Sequence, residues 1–235
     1  SGGAFVACDE KHLPVGMLLP IDAHFVQAER FARQAEAAFP VKKRLWKQVV
    51  QAKIRAQGRL LDALHGKDMG LLPMAGRVRS GDPDNLEAQA SRRYWGALFD
   101  KPGFRRDRTA EDANRNLNYG YAVLRAIVAR AVCAAGLHPS LGLHHHNRYD
   151  AFCLADDLME PFRPVVDGAV VRWVRERGEG APFDREAKAR LLEALTGRFE
   201  AEGEARTLFD LAARAASSLA GVFLGERADL ALPEL

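Results

Sequence analysis

Apolar residues with helical spacing run through most of this chain and restrict the folds open to it. In residues 42–66 they recur every three to four positions, which is the period of one helix face. They are Leu45, Val49, Ala52, Ala56, Leu60 and Leu64. The same period returns in residues 109–135, 165–177, 184–200 and 207–224, with Gly or Pro at most of the breaks. The sequence therefore predicts a mainly α-helical domain of roughly seven helices.

A different pattern opens the chain. Short apolar runs at residues 4–8 and 15–19 flank Asp9–Pro14, which is typical of a β-hairpin. Because a lone hairpin is marginally stable in water, we expect it to pack against the helices. We therefore divide the chain into residues 1–20, a short β segment, and residues 21–235, an α-helical domain.

The first predicted helix of that domain begins at Asp22, a suitable N-cap, and ends at Phe39, before Pro40. Its inward face would carry small or aromatic side chains at helical spacing. They are Phe25, Ala28, Ala32 and Ala35.

The length and the cysteines indicate where such a chain works. At 235 residues it can bury a sizeable core. No apolar run approaches the ~18 residues that span a bilayer. Three widely spaced cysteines without a CxxC pair favour reduced thiols. We expect a cytoplasmic protein without membrane contacts.

Charge is unevenly distributed along the chain. Residues 1–149 carry 23 Lys and Arg against 14 Asp and Glu (+9), whereas residues 150–235 carry 11 against 17 (−6). Cations crowd one side of the helix at 42–66 and the loop at 101–108, as expected of a surface that binds phosphates. An ordinary solvated face would look similar. The candidate DNA-binding residues are Lys42, Lys43, Lys47, Lys53, Arg55, Arg59, Arg105 and Arg106.

The strongest chemical signal lies in residues 136–164, where three histidines precede an acidic cluster. His144, His145 and His146 are followed by Asp156, Asp157 and Glu160. Imidazole nitrogen and carboxylate oxygen are ligands for divalent cations. On a helix, Asp156 and Glu160 share a face, while Asp157 points about a quarter-turn away. A chance histidine run beside a solvated helix start is the alternative, and the residues alone leave both open.

Which histidine points inward depends on the local backbone. If residues 141–146 are extended, Leu141 and Leu143 share a face with His145. We expect that face to be buried, so that His145 points toward Glu160. His144 and His146 would then face solvent or DNA.

A second acidic candidate, Glu87, follows Asp84 by three residues. That spacing is close to a capping box, so Glu87 could simply tie down a helix start. Arg163 lies three residues after Glu160, close enough to pair with it or to approach a phosphate. An ordinary surface pair is the alternative for Arg163.

Several segments together closely resemble one protein family, the CRISPR-associated spacer integrase ("Cas one"), in the branch that accompanies single-effector (type II) systems. They are NLNYGY at 116–121, GLHP at 136–139, Leu141-Gly142 with the histidines, residues 152–164, CDEKHLP at 8–14, and Glu87 with Arg92 and Tyr94-Trp95. The resemblance covers most of the chain.

The resemblance implies a metal-dependent DNA endonuclease/integrase that inserts new spacers into a CRISPR array by transesterification, as in CRISPR adaptation. Glu87, His145 and Glu160 would be the catalytic residues and would hold one Mg²⁺ or Mn²⁺, the histidine favouring Mn²⁺. Residues expected around them are Asp156, Asp157, Arg92, Asn118, Tyr119 and Arg163.

The implied partners are double-stranded DNA from protospacer and CRISPR repeat, a small companion protein of nuclease fold, and a second copy in a homodimer. The family also has a β-rich N-terminal domain, of which residues 1–20 match only the last strands. We therefore interpret the chain as an N-terminally truncated member. A non-catalytic DNA-binding or scaffold subunit, and an unrelated all-α metallohydrolase, are the alternatives.

Overall fold

The computed structural model describes residues 5–10, 14–18, 26–99, 103–178, 180–201 and 203–234. Within these ranges the chain forms nine α-helices and two antiparallel hairpins, which confirms the mainly α prediction. The strands are β1 (Phe5–Cys8), β2 (Pro14–Leu18), β3 (Arg198–Ala201) and β4 (Glu204–Thr207). The helices are α1 (Gln27–Ala35), α2 (Phe39–His65), α3 (Leu71–Gly76), α4 (Leu86–Leu98), α5 (Ala113–Ala134), α6 (Cys153–Met159), α7 (Arg163–Arg177), α8 (Arg185–Thr196) and α9 (Leu208–Phe223).

Two long helices, α2 and α5, form the centre of the fold. Helix α2 has Pro40 in its first turn and ends where Gly66 adopts φ 70°. The prediction that Pro40 ends the preceding helix is wrong. Pro40 instead belongs to the first turn of α2, where its missing N–H removes no intrahelical hydrogen bond. Helix α1 ends earlier, at Ala35, and the predicted start at Asp22 lies outside the described residues.

Helix α5 begins at Ala113, four residues later than the predicted start at residue 109, because the Asp112 carboxylate accepts the N–H of Asn114 and caps the helix. Its predicted apolar stripe is buried throughout. At Gly120 this helix approaches α7 so closely that a β-carbon would overlap Cγ1 of Val166. The close approach brings α7, with its polar residues, next to the middle of α5.

A short 3-10 turn at Glu160–Phe162 joins α6 to α7. Pro161 has no N–H to donate to the carbonyl of residue 157, so the α-helical hydrogen-bond ladder is interrupted there. The interruption lies directly against α2, and it places Glu160 at the junction of three helices.

The β-hairpin expected near the start is confirmed. Strands β1 and β2 pair with Phe5 opposite Leu18, and Met17 packs against the helical core. The second hairpin, β3–β4, was not predicted. Residues 184–200 were expected to be one helix, but the backbone becomes extended at Gly197. The division at residue 20 falls among residues that are not described, and it stays a prediction.

Across the described part of the chain, no helix is both long enough and apolar enough to cross a membrane.

Candidate active site

One buried carboxylate, that of Asp157 on α6, holds the histidine loop. It accepts the backbone N–H groups of Leu143 at 2.6 Å and of His144 at 2.9 Å. It also accepts a hydrogen bond from Nδ1 of His145 at 2.5 Å. This bond outweighs burial and raises the pKa of His145 above its usual value. Because Nδ1 is engaged, Nε2 is the nitrogen that His145 can offer to a metal ion.

The loop is not the extended segment that we predicted. Residues 141–146 are irregular, and Leu141 is exposed while Gly142 and Leu143 are buried. The backbone turns around the Asp157 carboxylate, so the alternation of a strand does not apply. A β-carbon on Gly142 would lie 2.9 Å from Oδ2 of Asp157, which explains a glycine here.

Trp46 on α2 forms the floor under this loop. The ring of His144 stacks on it, with centroids 4.3 Å apart and planes inclined by 3°. Burial lowers the pKa of His144, which therefore favours the neutral imidazole. His145 meets the edge of the same indole at 5.8 Å. His144 nevertheless remains exposed, as predicted, with one ring face on the indole, whereas His145, which was expected on a buried face, is half-exposed.

Helix α1 fixes the beginning of the loop through Gln34, which is 1% exposed. Its amide donates to the carbonyls of His138 at 2.9 Å and of Leu141 at 3.0 Å, and it accepts the N–H of His138 at 2.8 Å. The alanines expected to face inward on this helix, Ala28 and Ala32 among them, are exposed. We missed Gln34 because a polar residue was not expected on the buried face.

Glu87 is not a capping residue. Asp82 caps α4 instead, because its carboxylate accepts the N–H groups of Leu86 and Glu87, each at 2.9 Å. Asp84, the expected partner in a capping box, pairs with Arg79 at 2.8 Å. The Glu87 side chain therefore leaves the helix start and reaches toward α2.

Glu87 and Glu160 converge on one cation, the ammonium of Lys53 on α2. Nζ of Lys53 contacts Oε1 of Glu87 and lies 2.6 Å from Oε2 of Glu160. Arg163 donates to the other Glu160 oxygen at 2.8 Å. Burial would raise the pKa of Glu160, but Arg163 and Lys53 hold it at about 2. The carboxylate is therefore ionised across the physiological pH range.

The placement of Lys53 corrects its assignment to the DNA-binding face. Lys53 is 8% exposed and lies four residues after Val49, on the buried side of α2. Burial alone would lower its pKa, but the charges of Glu160 and Glu87 outweigh that effect and raise it. The helical period of residues 42–66 places Lys53 beside the apolar stripe, and so could have shown that it is buried.

A second buried acid supports the site from behind. Asp167 on α7 accepts a hydrogen bond from the hydroxyl of Tyr94 at 2.6 Å and another from that of Tyr121. Burial raises the pKa of Asp167 to about 6, against the opposing effect of the two tyrosines. The guanidinium of Arg163 lies 4.6 Å from the Tyr121 ring centroid. The cluster thereby orients Arg163, which binds Glu160. In the sequence, only the apolar residues around Asp167 could have indicated that this acid is buried.

Arginines line the space in front of the carboxylates. Two cavities, of about 220 and 420 Å³, share Arg106, Arg108, Tyr121 and Arg163 in their walls. The smaller one also contains Lys53, Glu87 and Glu160, and the larger one contains Asn118, Arg125 and Asp156. Such walls fit a polyanion that passes over the two glutamates.

The remaining candidates divide between these walls and other surfaces. Asp156 forms an ion pair with Arg125, whose Nε lies 2.6 Å from Oδ1. Asn118 accepts a hydrogen bond from Arg106 at 2.6 Å.

Two residues expected near the site lie elsewhere. Arg92 is exposed and outside both cavities, and Tyr119 packs on Phe183, with ring centroids 5.5 Å apart.

The predicted DNA-binding cations also divide. Lys43, Arg55 and Arg105 are exposed, and Lys42, Lys47 and Arg59 are partly so. Arg106 belongs to the cavity walls. The C-terminal residues lie along part of the same α2 face, where Glu234 pairs with Arg59 at 3.1 Å.

The donor set fits a hard divalent ion, although the described residues contain no ready-made cluster of three His, Cys, Asp or Glu ligands. Two carboxylates already meet at one point, and Oε2 of Glu160 is buried with no aligned hydrogen-bond donor. His145 is close enough to lower the pKa of Glu160 further. Carboxylate oxygen with one imidazole suits Mn²⁺ or Mg²⁺.

Replacing Asp157 with Asn should lower the pKa of His145 toward its ordinary value of about 6.5, because the carboxylate is what favours the imidazolium. NMR titration of the His145 imidazole measures this pKa in wild type and in the variant. Since the raised pKa stabilises the fold only while His145 is charged, that contribution is present at low pH and is lost as pH rises past the pKa. The gap in unfolding free energy between wild type and variant should therefore narrow with rising pH.

Asp68→Asn is the matched control, since Asp68 also accepts two backbone N–H groups, at 2.9 Å each, but lies in another loop. It should leave the His145 titration unchanged. An unaltered pKa in Asp157→Asn would contradict the proposed anchoring.

Comparison with known proteins supports one family. The family model "CRISPR associated protein Cas1" matches residues 82–198, which include Glu87, His145 and Glu160. A "CRISPR-associated endonuclease Cas1" from Neisseria meningitidis is 37% identical over 238 residues, covering 100% of this chain and 77% of that protein.

Two solved structures share the fold. "Casposase bound to integration product" aligns with a TM-score of 0.75 at 21% identity, covering 99% of this chain and 79% of the other. "Partial Cas6-RT-Cas1--Cas2 complex" aligns with a TM-score of 0.72 at 16% identity, covering 97% and 79%. The identity to the Neisseria protein along the whole chain establishes the relationship: this chain belongs to the CRISPR-associated Cas1 family.

Proposed function

We propose that this protein is a divalent-metal-dependent DNA endonuclease/integrase that inserts spacers into a CRISPR array. One observation carries the proposal. Glu87 from α4 and Glu160 from the 3-10 turn, far apart in sequence, meet at the ammonium of Lys53, and His145 is close enough to lower the pKa of Glu160. That meeting point opens into a cavity walled by arginines, which suits a reaction on a phosphodiester.

Glu87, Glu160 and Nε2 of His145 would hold one Mg²⁺ or Mn²⁺. When bound, the ion supplies polarisation of a phosphoryl oxygen. The surrounding groups have separate tasks. Asp157 fixes the His145 tautomer and Arg163 orients Glu160. Arg106 and Arg108 face the cavity and would neutralise phosphate charge.

The reaction we propose is transesterification. A DNA 3′-hydroxyl attacks a phosphodiester of the repeat, one P–O bond forms, and the bond to the leaving 3′-oxygen breaks. The hydroxyl proton is released and the leaving oxygen takes one up. Because the number of phosphodiesters is unchanged, no nucleotide cofactor is required. With water as the attacking group, the same site would act as an endonuclease.

Double-stranded DNA, from protospacer and repeat, is the proposed substrate, and the exposed cations of α2 are its proposed contacts. The fold likeness to a Cas1–Cas2 complex and to an integration complex supports DNA and the small companion protein as partners. A homodimer would bring two sites to the two ends of one DNA segment.

A non-catalytic DNA-binding subunit is the second candidate, and Lys53 is the observation that favours it. An ammonium between Glu87 and Glu160 neutralises the carboxylates as a purely structural ion pair would. A nicking assay with Mn²⁺ and with chelator separates the two functions.

We predict that Glu87→Ala lowers Mn²⁺-dependent nicking and strand joining by more than about 100-fold, since loss of groups that merely support metal ligands costs about 10- to 100-fold. The fold should remain, because Lys53 keeps its contact with Glu160. Supercoiled-plasmid nicking and the melting temperature are measured on one sample.

Asp84→Ala is the control three residues upstream, where the exposed carboxylate forms an ion pair with Arg79 and does not line the cavity around Lys53. It should keep full activity. Retained nicking in Glu87→Ala would refute the catalytic assignment of Glu87.

DNA affinity should depend strongly on salt. Replacing Lys43, Lys47 and Arg55 together with Ala should reduce the slope of log K against log [salt] by about 2 to 3, since each phosphate contact contributes about 0.9. Fluorescence anisotropy with a duplex at several salt concentrations measures the slope.

A triple variant of Arg175, Arg185 and Arg190 removes the same charge from the acidic half of the chain and should leave the slope near that of wild type. Equal slopes for wild type and the α2 variant would place the DNA on another surface.

A further inference from the structure

A buried lysine lies between the two carboxylates proposed to bind the metal ion. Lys53 is 8% exposed, and its Nζ contacts Glu87 and lies 2.6 Å from Glu160. Neither the apolar stripe of α2 nor DNA binding requires a cation at this depth. Its position therefore calls for a role within the site.

We propose that Lys53 is a displaceable internal counter-ion: it holds Glu87 and Glu160 together before metal binds, competes with the divalent ion, and moves to Gln57 when the ion enters. This inference rests on the proposed function, because it assumes that these carboxylates bind the ion.

The charges of the site favour the displacement. Without metal, the two glutamates are balanced by Lys53 and Arg163, so the sum of the four formal charges is zero. A divalent ion bound by the same carboxylates would lie in contact with an unmoved ammonium in a buried place. Like charges in contact at low dielectric repel strongly. Moving the ammonium away from the carboxylates relieves that contact and leaves both glutamates to the ion.

The structure provides a place for the ammonium to go. Gln57 lies four residues after Lys53 on the same side of α2 and lines the same cavity of about 220 Å³. Its Oε1 is buried and has no hydrogen-bond partner among the described residues. A buried acceptor without a donor is costly. An ammonium released from the carboxylates would supply that donor and would then face the arginine-lined space where phosphate binds.

Mn²⁺ affinity tests the proposal through the free-ion EPR signal, without any activity measurement. Lys53→Met keeps the length of the side chain and removes the competing charge. We expect it to bind Mn²⁺ at least about tenfold more tightly than wild type. A purely structural lysine predicts the opposite, since damage to the site weakens binding. Lys47→Met on the same helix is the control and should leave the affinity unchanged.

Gln57→Leu provides a second, independent measurement in a variant that keeps the Lys53 ion pair. Loss of the acceptor should weaken Mn²⁺ binding severalfold when Lys53 is present, and should have no effect in the Lys53→Met background. Unchanged or weaker binding by folded Lys53→Met, or an unchanged affinity in Gln57→Leu, overturns the proposal.

His145→Ala separates this inference from the proposed function. If wild type binds Mn²⁺ and His145→Ala does not, the proposed metal site is supported. The Lys53 variants then test only whether Lys53 is a displaceable counter-ion. If wild type shows no binding that depends on His145, the proposed function itself fails.

Discussion

Two ionised carboxylates that lie side by side in a protein interior need positive charge between or beside them. In this protein Lys53 bridges Glu87 and Glu160, and Arg163 pairs with the other side of Glu160. The packing of α2, α4 and the α6–α7 junction depends on this cluster, because each of these elements contributes one of its members. The tyrosine-bound Asp167 extends the same charge network deeper into α7.

The histidine side of the site is held by hydrogen bonds to a single carboxylate, that of Asp157. Asp157 gathers backbone N–H groups of the loop and the Nδ1 of His145 onto one carboxylate, while Gln34 and Trp46 hold the loop from α1 and α2. The loop therefore needs no regular secondary structure to orient its imidazole. The ion-paired glutamates and the anchored histidine are the groups that we propose to bind the metal ion.

Much of this architecture follows from the helical period alone, since the apolar stripes of α2, α5 and α9 face the core as predicted. They are buried except at Leu60, Leu64 and Phe223, which are partly buried. The β3–β4 hairpin was missed because the helical spacing of Leu191 and Leu195 continues to Phe199, past Gly197, where the backbone becomes extended. The buried positions of Gln34 and Lys53 were missed for a physical reason. The polar partners that stabilise these two side chains lie more than thirty residues away in the sequence. The family resemblance predicted Glu87, His145 and Glu160 as the site residues, and the structure brings the two glutamates onto one ammonium. Spacing alone favoured a capping role for Glu87 and an extended loop for His145.

A crystal soaked in Mn²⁺, with anomalous difference maps collected at the manganese edge, tests the metal site and the displacement of Lys53 together. We predict a single strong peak within coordination distance of Glu87, Glu160 and Nε2 of His145, with Nζ of Lys53 moved from the carboxylates toward Oε1 of Gln57. A peak at another position, or Lys53 still between the glutamates at saturating Mn²⁺, would contradict this prediction.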